Sequence, residues 1–250
     1  MSKSATFINA EARVFMDELQ VCILPGNYSG MEFSSIYEDV FNFWHLQWSK
    51  TFSALKVPFS TKSDEFSRHE EFIAILHSGK VIACALAGYF NLANSVHRAH
   101  TYFSEYSQDI VTKIRNLAAD NPVFTLGYLT IDLKFRRRII ADLVLGIQVR
   151  RIQESLHPLM IAYTRNSKGM HNLSYRLGGK PLAQNLQMKN EPADFVYFDK
   201  SSMQVLIQHE EYSQINRLWQ NKIYIPSLNI LTKTHSKGKE NEESRLETSI

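Results

Sequence analysis

An α/β fold built on one mixed sheet, with helices on both faces, is the class this sequence predicts. Three observations carry the prediction. Residues Phe124 to Pro181 alternate strand-like and helix-like runs, as a βαβα unit does. Glu71 to Ala87 contains two apolar runs flanking His77-Ser78-Gly79-Lys80, the pattern of a hairpin. Two further stretches, Tyr37–Leu55 and Tyr102–Leu117, space aromatic and aliphatic residues at helical intervals. A parallel crossover needs both sheet faces covered, so about six or seven strands between helix layers are expected.

In chain order, residues 1 to 30 read as a polar start, a short edge strand at Val21-Cys22-Ile23-Leu24 and a turn at Pro25-Gly26-Asn27. Ser35 and Glu38 have capping-box spacing, and behind them Tyr37, Phe41, Trp44, Trp48, Phe52 and Leu55 mark a long helix up to Val57-Pro58. Phe59 to Arg68 is polar and reads as a loop. The second hairpin strand, Val81 to Ala87, is apolar on both faces, which suits the middle of a covered sheet. The next helix ends near Asn121-Pro122.

Phe124 to Ile131 reads as an inner strand. Asp132 to Arg138 interrupts the apolar run with three consecutive cations, and Ile140, Leu143, Val144 and Ile147 resume it at helical spacing. Leu159 to Tyr163 follows His157-Pro158 and has the length of a parallel partner strand. Asn166 to Leu177 is a short helix stopped by Gly178-Gly179. Leu186–Lys189 and Phe195–Phe198 are the final strands, separated by a turn over Asn190–Asp194, and Ser201 to Trp219 is a closing helix. The expected organisation is one domain over residues 1–230 and a mobile polar tail over 231–250.

Composition narrows the class. With 250 residues, 44% of them hydrophobic, the chain can bury a core of ordinary size. A net charge of +3 without interleaved basic and aromatic residues gives no case for nucleic acid. Cys22 and Cys84 have neither CxxC spacing nor ligand-spaced His neighbours, which argues against a disulfide framework and a zinc site and fits a reducing cytoplasm. Met1 to Arg13 lacks an apolar core of signal-peptide type, and no run is long enough for a transmembrane segment, leaving peripheral membrane contact open. His97 and His100 have i, i+3 spacing but no third ligand nearby, so no metal site is expected. No Gly-x-Ser-x-Gly elbow is present.

The succession of strand, arginine turn, helix, strand, Asn166, and Leu177-Gly178 before Lys180-Pro181 resembles the core of the GNAT-type N-acyltransferase superfamily over about sixty residues, in a divergent form that is also similar to long-chain N-acyl amino acid synthases. The resemblance implies a central splayed sheet and direct transfer of an acyl group from a thioester to the amine of a small molecule such as an amino acid; the aromatic residues of the two accessory helices lean toward a long-chain acyl group. It implies no permanently bound cofactor: the phosphopantetheine of acyl-CoA or of an acyl carrier protein arrives as donor substrate. Leu129, Ile131 and Leu133 would hold the pantetheine and the thioester carbonyl through their backbone. The turn and first helical residues Arg136, Arg137, Arg138, Ile139, Ile140 and Ala141 would hold phosphate, with Asn166 completing the donor site. Tyr175, one residue after the aligned Ser174, would protonate the leaving thiolate, and Asp132 is a candidate base or a salt-bridge partner of the arginines.

Two features qualify that picture. Ile139 stands where the family's turn carries its central glycine, and a β-branched residue keeps backbone from closing on a pyrophosphate. This favours a carrier protein, with one phosphate and an acidic surface, as the donor. The helix after the hairpin is an insertion relative to the family order and is where specificity is expected, while the aromatic stripe of the first long helix either packs on the sheet or lines an acyl tunnel. A second function class stays open, a degenerate member that binds an acyl ligand or protein partner without turnover.

Overall fold

The computed structural model describes residues 10–58, 62–104, 106–136, 138–155, 158–200 and 209–225. Its strands are β1 (Leu19–Pro25), β2 (Glu71–His77), β3 (Lys80–Phe90), β4 (Val123–Ile131), β5 (Leu159–Arg165), β6 (Lys180–Met188), β7 (Glu191–Asp199) and β8 (Ile223–Tyr224). Its helices are α1 (Ala10–Asp17), α2 (Ser34–Leu55), α3 (Ser63–Ser67), α4 (Ser95–Arg98), α5 (Gln108–Ala118), α6 (Arg138–Glu154), α7 (Met170–Arg176) and α8 (His209–Gln220). The strands form one open mixed sheet in the order β6-β7-β5-β4-β3-β2-β1-β8.

Alternation along the strands sorts the core into two faces. On one face Ile23, Ile75, Phe124 and Met160 meet Ile140, Leu143, Val144 and Ile147 of α6, with Leu173 of α7 and Leu218 of α8 beside them. The periodicity of α6 is thus used as the sequence predicts. Arg151 also lies on α6 and is buried, but its guanidinium forks onto Glu71 of β2 at 2.9 and 3.2 Å, so the charge is fully answered. On the other face two separate clusters form. Val40 and Trp44 of α2 and Phe66 of α3 cover β1, β2 and part of β3. Ile110, Val111 and Ile114 of α5 cover Val123, Leu159, Ile161 and Phe195. Between these two clusters, an open space borders Thr125–Leu129 of β4 and Ala162–Arg165 of β5.

Both hairpins turn on paired left-handed residues, Ser78-Gly79 (φ 48° and 76°) and Lys189-Asn190 (φ 49° and 63°), whose twist matches the flanking strands. The second pair corrects the expected Asn190–Asp194 turn: the reversal occurs earlier, and Glu191 to Asp199 continue as β7. Several other expectations change. The capping box at Ser35 is not made, because the N-cap of α2 falls two residues earlier, on Phe33, without a side-chain cap. Part of the expected loop 59–68 is the short helix α3, anchored by buried Phe66. The inserted helix is shorter than its apolar pattern, since Tyr102, Phe103 and Tyr106 form an aromatic knot before Ser107 caps α5. Ala10–Asp17 of the polar start are helical, and the described residues form eight strands instead of six or seven. The expected tail, Arg137 and Ser201–Gln208 lie outside the described residues.

Candidate active site

β4 and β5 pair in parallel only where Val123–Leu126 face Leu159–Ala162. Each strand runs on, to Ile131 and Arg165, without pairing to the other. Backbone groups facing this gap therefore have no partner across it.

The cause lies in β4. Against β3, Leu86 pairs with Gly127 but Cys84 pairs with Thr130, which leaves an extra residue on β4, a bulge. Its centre, Tyr128, takes φ 54°, a left-handed conformation that costs a residue with a side chain about 1–2 kcal/mol. Neighbours hold it there. Trp48 Nε1 donates to Thr130 Oγ1 at 2.8 Å, and that hydroxyl donates to the Tyr128 carbonyl at 2.7 Å. The Tyr128 ring meets Trp44, Trp48 and His69 edge-on, with centroids 5.0–5.6 Å apart.

The gap opens into a cavity of about 280 Å³. Trp48, Phe52 and Leu55 of α2 form part of its wall, so the aromatic stripe divides: Val40 and Trp44 are core, while its C-terminal third borders the cavity. The insertion contributes the connection from His100 to Tyr106, while α5 itself serves as cover. Gly127 faces open space, since a Cβ there would have nothing within 4 Å. The β6–β7 turn closes over the end of α2, where Asn190 Nδ2 donates to the Leu55 carbonyl at 3.0 Å and Lys189 Nζ stands 5.1 Å from the Phe52 ring.

Polar groups gather at two ends of this space. At one, Arg165 pairs with Glu191, whose other oxygen accepts from Ser167 Oγ at 2.6 Å, and buried Ser174 lines the wall. At the other, Arg68 pairs with Glu65 and donates to Thr101 Oγ1 at 2.9 Å, beside His69 and His100. Burial, reinforced by Arg68, lowers the His69 pKa to about 4, so this imidazole is neutral at neutral pH. His100 is lowered too, by burial and then Arg68. Its Nδ1 accepts the Tyr102 amide at 3.1 Å, as His97 Nδ1 accepts that of Asn91 at 2.7 Å, so both spaced histidines serve as local turn acceptors.

Among the residues singled out from sequence, Leu129 lines the cavity. Leu129 and Ile131 turn their side chains to the α6 face of the sheet. Asp132 Oδ1 accepts the Lys134 amide at 2.9 Å and so caps the turn Leu133–Phe135, outside the cavity wall. Leu133 is exposed, as is Arg136, whose Nε donates to the Ile131 carbonyl at 3.3 Å. α6 starts at Arg138; Ile139 and Ala141 pack partly on the core and Ile140 is fully buried.

Asn166 and Tyr175 meet on Asp194, outside the cavity. The Tyr175 hydroxyl donates to Asp194 Oδ2 at 2.5 Å, and Asn166 Nδ2 and the Asn185 amide donate to Oδ1, each at 2.9 Å. Burial opposes the Asp194 charge, yet these donors outweigh it and hold the carboxyl below its ordinary value. Burial and the same carboxylate push Tyr175 up. Ser174, one residue earlier on α7, lines the cavity instead, as a rotation of about 100° per helical residue requires.

Sequence reasoning had no hold on Glu65, Arg68, His69, Thr130 or Lys189. The one signal was the polar run up to Arg68-His69-Glu70 ahead of the apolar strand, which reads as an ordinary loop.

No family model matches the chain, and no curated protein matches its sequence. Its fold does match solved structures. A CoA-dependent acyl-homoserine lactone synthase solved with SAM and isopentyl-CoA superposes with a TM-score of 0.53 at 9% identity, covering 80% of this chain and 89% of that one. The same synthase with MTA gives 0.52 at 9% identity over the same shares. An N-acyl amino acid synthase from uncultured soil microbes gives 0.49 at 11% identity, covering 75% of this chain and 96% of that one. At these identities the likeness is one of architecture, and on that ground the chain has the GNAT-type acyltransferase fold, open sheet and flanking helices included.

Proposed function

We propose that the protein is an N-acyltransferase which carries an acyl group from a pantetheine thioester to the amine of a small molecule. The observation behind this reading is the parting of β4 and β5 beyond Leu126 and Ala162, opened by the Tyr128 bulge onto a cavity of about 280 Å³. A pantetheine arm is a chain of amides. It needs an extended slot between two backbone edges, and two parallel strands that stop pairing with each other leave such a slot. Trp48, Phe52 and Leu55 suit an apolar acyl chain. Paired charges of opposite sign, Glu65 and Arg68, suit a zwitterionic acceptor such as an amino acid.

For the donor we favour a carrier-protein thioester over acyl-CoA. The turn after β4 offers an apolar knob, Leu133, with 66% of its surface exposed, next to Lys134 and Arg136, a combination that suits an acidic protein surface. The phosphate would lie at the start of α6, where backbone amides and the exposed Arg136 would act on one anion. Transfer is direct, since both cysteines are buried in the sheet. Ser174 is better placed than Tyr175 to meet the leaving sulfur, and Asp132 serves the turn.

The test supplies purified protein with acyl-CoA and acyl-carrier-protein thioesters of several lengths and mixed amino acids, and follows free thiol together with N-acylated product by mass spectrometry. Thiol release above the donor-only rate, with a matching product, is the expected result. Binding without turnover is a second reading, favoured by the engagement of Tyr175 with Asp194. Saturable donor binding with no thiol release at any chain length would establish it in place of catalysis.

A further inference from the structure

His69 has a chemical role available that the acyl-transfer reading leaves unfilled. Its Nδ1 lies 3.3 Å from the Phe66 carbonyl, which can only accept; this contact favours the Nδ1–H tautomer, in which Nε2 keeps its lone pair. The ring stands edge-on to Tyr128, at the bulge where β4 parts from β5, and borders the cavity. Its backbone is held closely. Gly26 donates to the Glu70 carbonyl at 3.1 Å, and a Cβ on Gly26 would fall 1.9 Å from the His69 carbonyl oxygen. A neutral imidazole on a fixed backbone at the bend of a thioester slot is what a proton acceptor requires.

Resting on the acyl-transfer reading, we infer that His69 is the proton acceptor of the reaction: Nε2 takes a proton from the attacking amine beside Tyr128, and an anionic group of the acceptor, paired with Arg68, strengthens it as a base. The amine nitrogen bonds to the thioester carbonyl carbon, one N–H proton passes to Nε2, and the C–S bond breaks. The thiolate takes up one proton, the imidazolium gives one up, and amide and thiol leave the protein unchanged. Around His69 stand Arg68 and Glu65 from α3 and its end, Glu70 next in the chain, His100 and Tyr102 from the insertion, and Tyr128 from β4. Of these Arg68 is the cation, and its field is one of the causes that hold the ring neutral. A carboxylate on Arg68 cancels that field, so the base gains proton affinity when an acidic acceptor occupies the site.

Three measurements test this. First, His69→Gln should lower kcat on the order of 100-fold with donor binding retained, and His69→Gly should regain activity with added imidazole, in proportion to the neutral fraction of the added base. A folded His69→Gln protein within twofold of wild type, or no rescue beyond wild-type controls, overturns the assignment. Second, Arg68→Gln should lower kcat for an α-amino acid and leave the corresponding amine without a carboxylate nearly unchanged; equal losses for both remove Arg68 from the proposal. Third, NMR titration of the His69 ring in the intact protein should show an Nδ1–H tautomer and a midpoint that rises when an amino acid is added. If no donor supports turnover, the acyl-transfer reading falls, and the titration decides the ring on its own. An Nε2–H tautomer, or a midpoint unmoved by saturating amino acid, overturns the His69 assignment.

Discussion

The two halves of the β4–β5 pair differ sharply although they belong to the same strands. From Val123 to Leu126 the strands are zipped, and Val123, Phe124, Leu159, Met160 and Ile161 are almost wholly buried between α6 on one side and α5 on the other. From Gly127 onward they part, the wall carries Tyr128, Tyr163 and Thr164, and support comes from Trp48 and His69 across a cavity. The first half is held by apolar packing from both faces, the second by a bulge that hydrogen bonds and ring contacts keep in place. A sheet therefore opens where its cover changes from aliphatic side chains to indole and imidazole edges.

This contrast is open to attack. In the zipped half Phe124→Ala should cost about 3–5 kcal/mol of stability, as large-to-small changes at buried aromatics do, measured by urea unfolding, while the protein that stays folded keeps its activity per molecule. A loss of activity at unchanged stability would mean the halves are not separable. In the splayed half Gly127→Leu should behave in the opposite way. The new side chain enters empty space, so stability should hold, while thioester turnover falls on the order of 100-fold because the slot is filled. Steady-state thiol release and thermal unfolding on the same samples would check both sides.

The pH dependence of stability should carry the mark of His69. Its folded pKa, about 4, lies below the ordinary 6.5. Between those values the unfolded chain binds a proton that the folded one does not, so stability is complete above pH 6.5 and is lost as pH falls toward 4. The loss should be about 1–3 kcal/mol and should be absent in His69→Gln, compared by urea unfolding at pH 7 and pH 4.5. Smaller effects sharpen the comparison further. Trp48→Phe removes the indole donor to Thr130 and should cost about 1 kcal/mol, with a larger proportional fall in turnover than in stability, because the bond it breaks supports the bulge. Asp132→Ala removes only the cap of the turn and should cost about 0.5–1 kcal/mol, with a rise in donor KM at nearly constant kcat as its signature.

Much of the frame was legible in the chain. Val81 to Ala87 is apolar at every position, which only a doubly covered strand tolerates, and β3 is such a strand. Ile140, Leu143, Val144 and Ile147 share one helix face and pack on the sheet together. That the run Phe124–Ile131 takes the run Leu159–Tyr163 as its parallel neighbour followed from a helix between two short apolar runs, although only Val123–Leu126 and Leu159–Ala162 pair. Tyr175 and Asp132 were legible as residue types but not as positions: each polar side chain found a nearer partner, Asp194 in one case and the Lys134 amide in the other. Arg68 and His69 looked like loop residues because nothing local distinguishes a polar run that faces water from one that faces a cavity.

By itself the sequence determined the succession of strands and helices, the inner position of β4 and the arginine-rich turn after it, because apolar periodicity and chain breakers act over a few residues. Only the tertiary structure decided where β4 and β5 stop pairing, that Tyr128 occupies a left-handed bulge, and that α2, α3 and the insertion bring Trp48, His69 and His100 to the same opening. The physical reason is range. A bulge is fixed by partners such as Trp48 and Thr130, 82 residues apart along the chain, and a cavity is defined by what several distant elements leave unfilled.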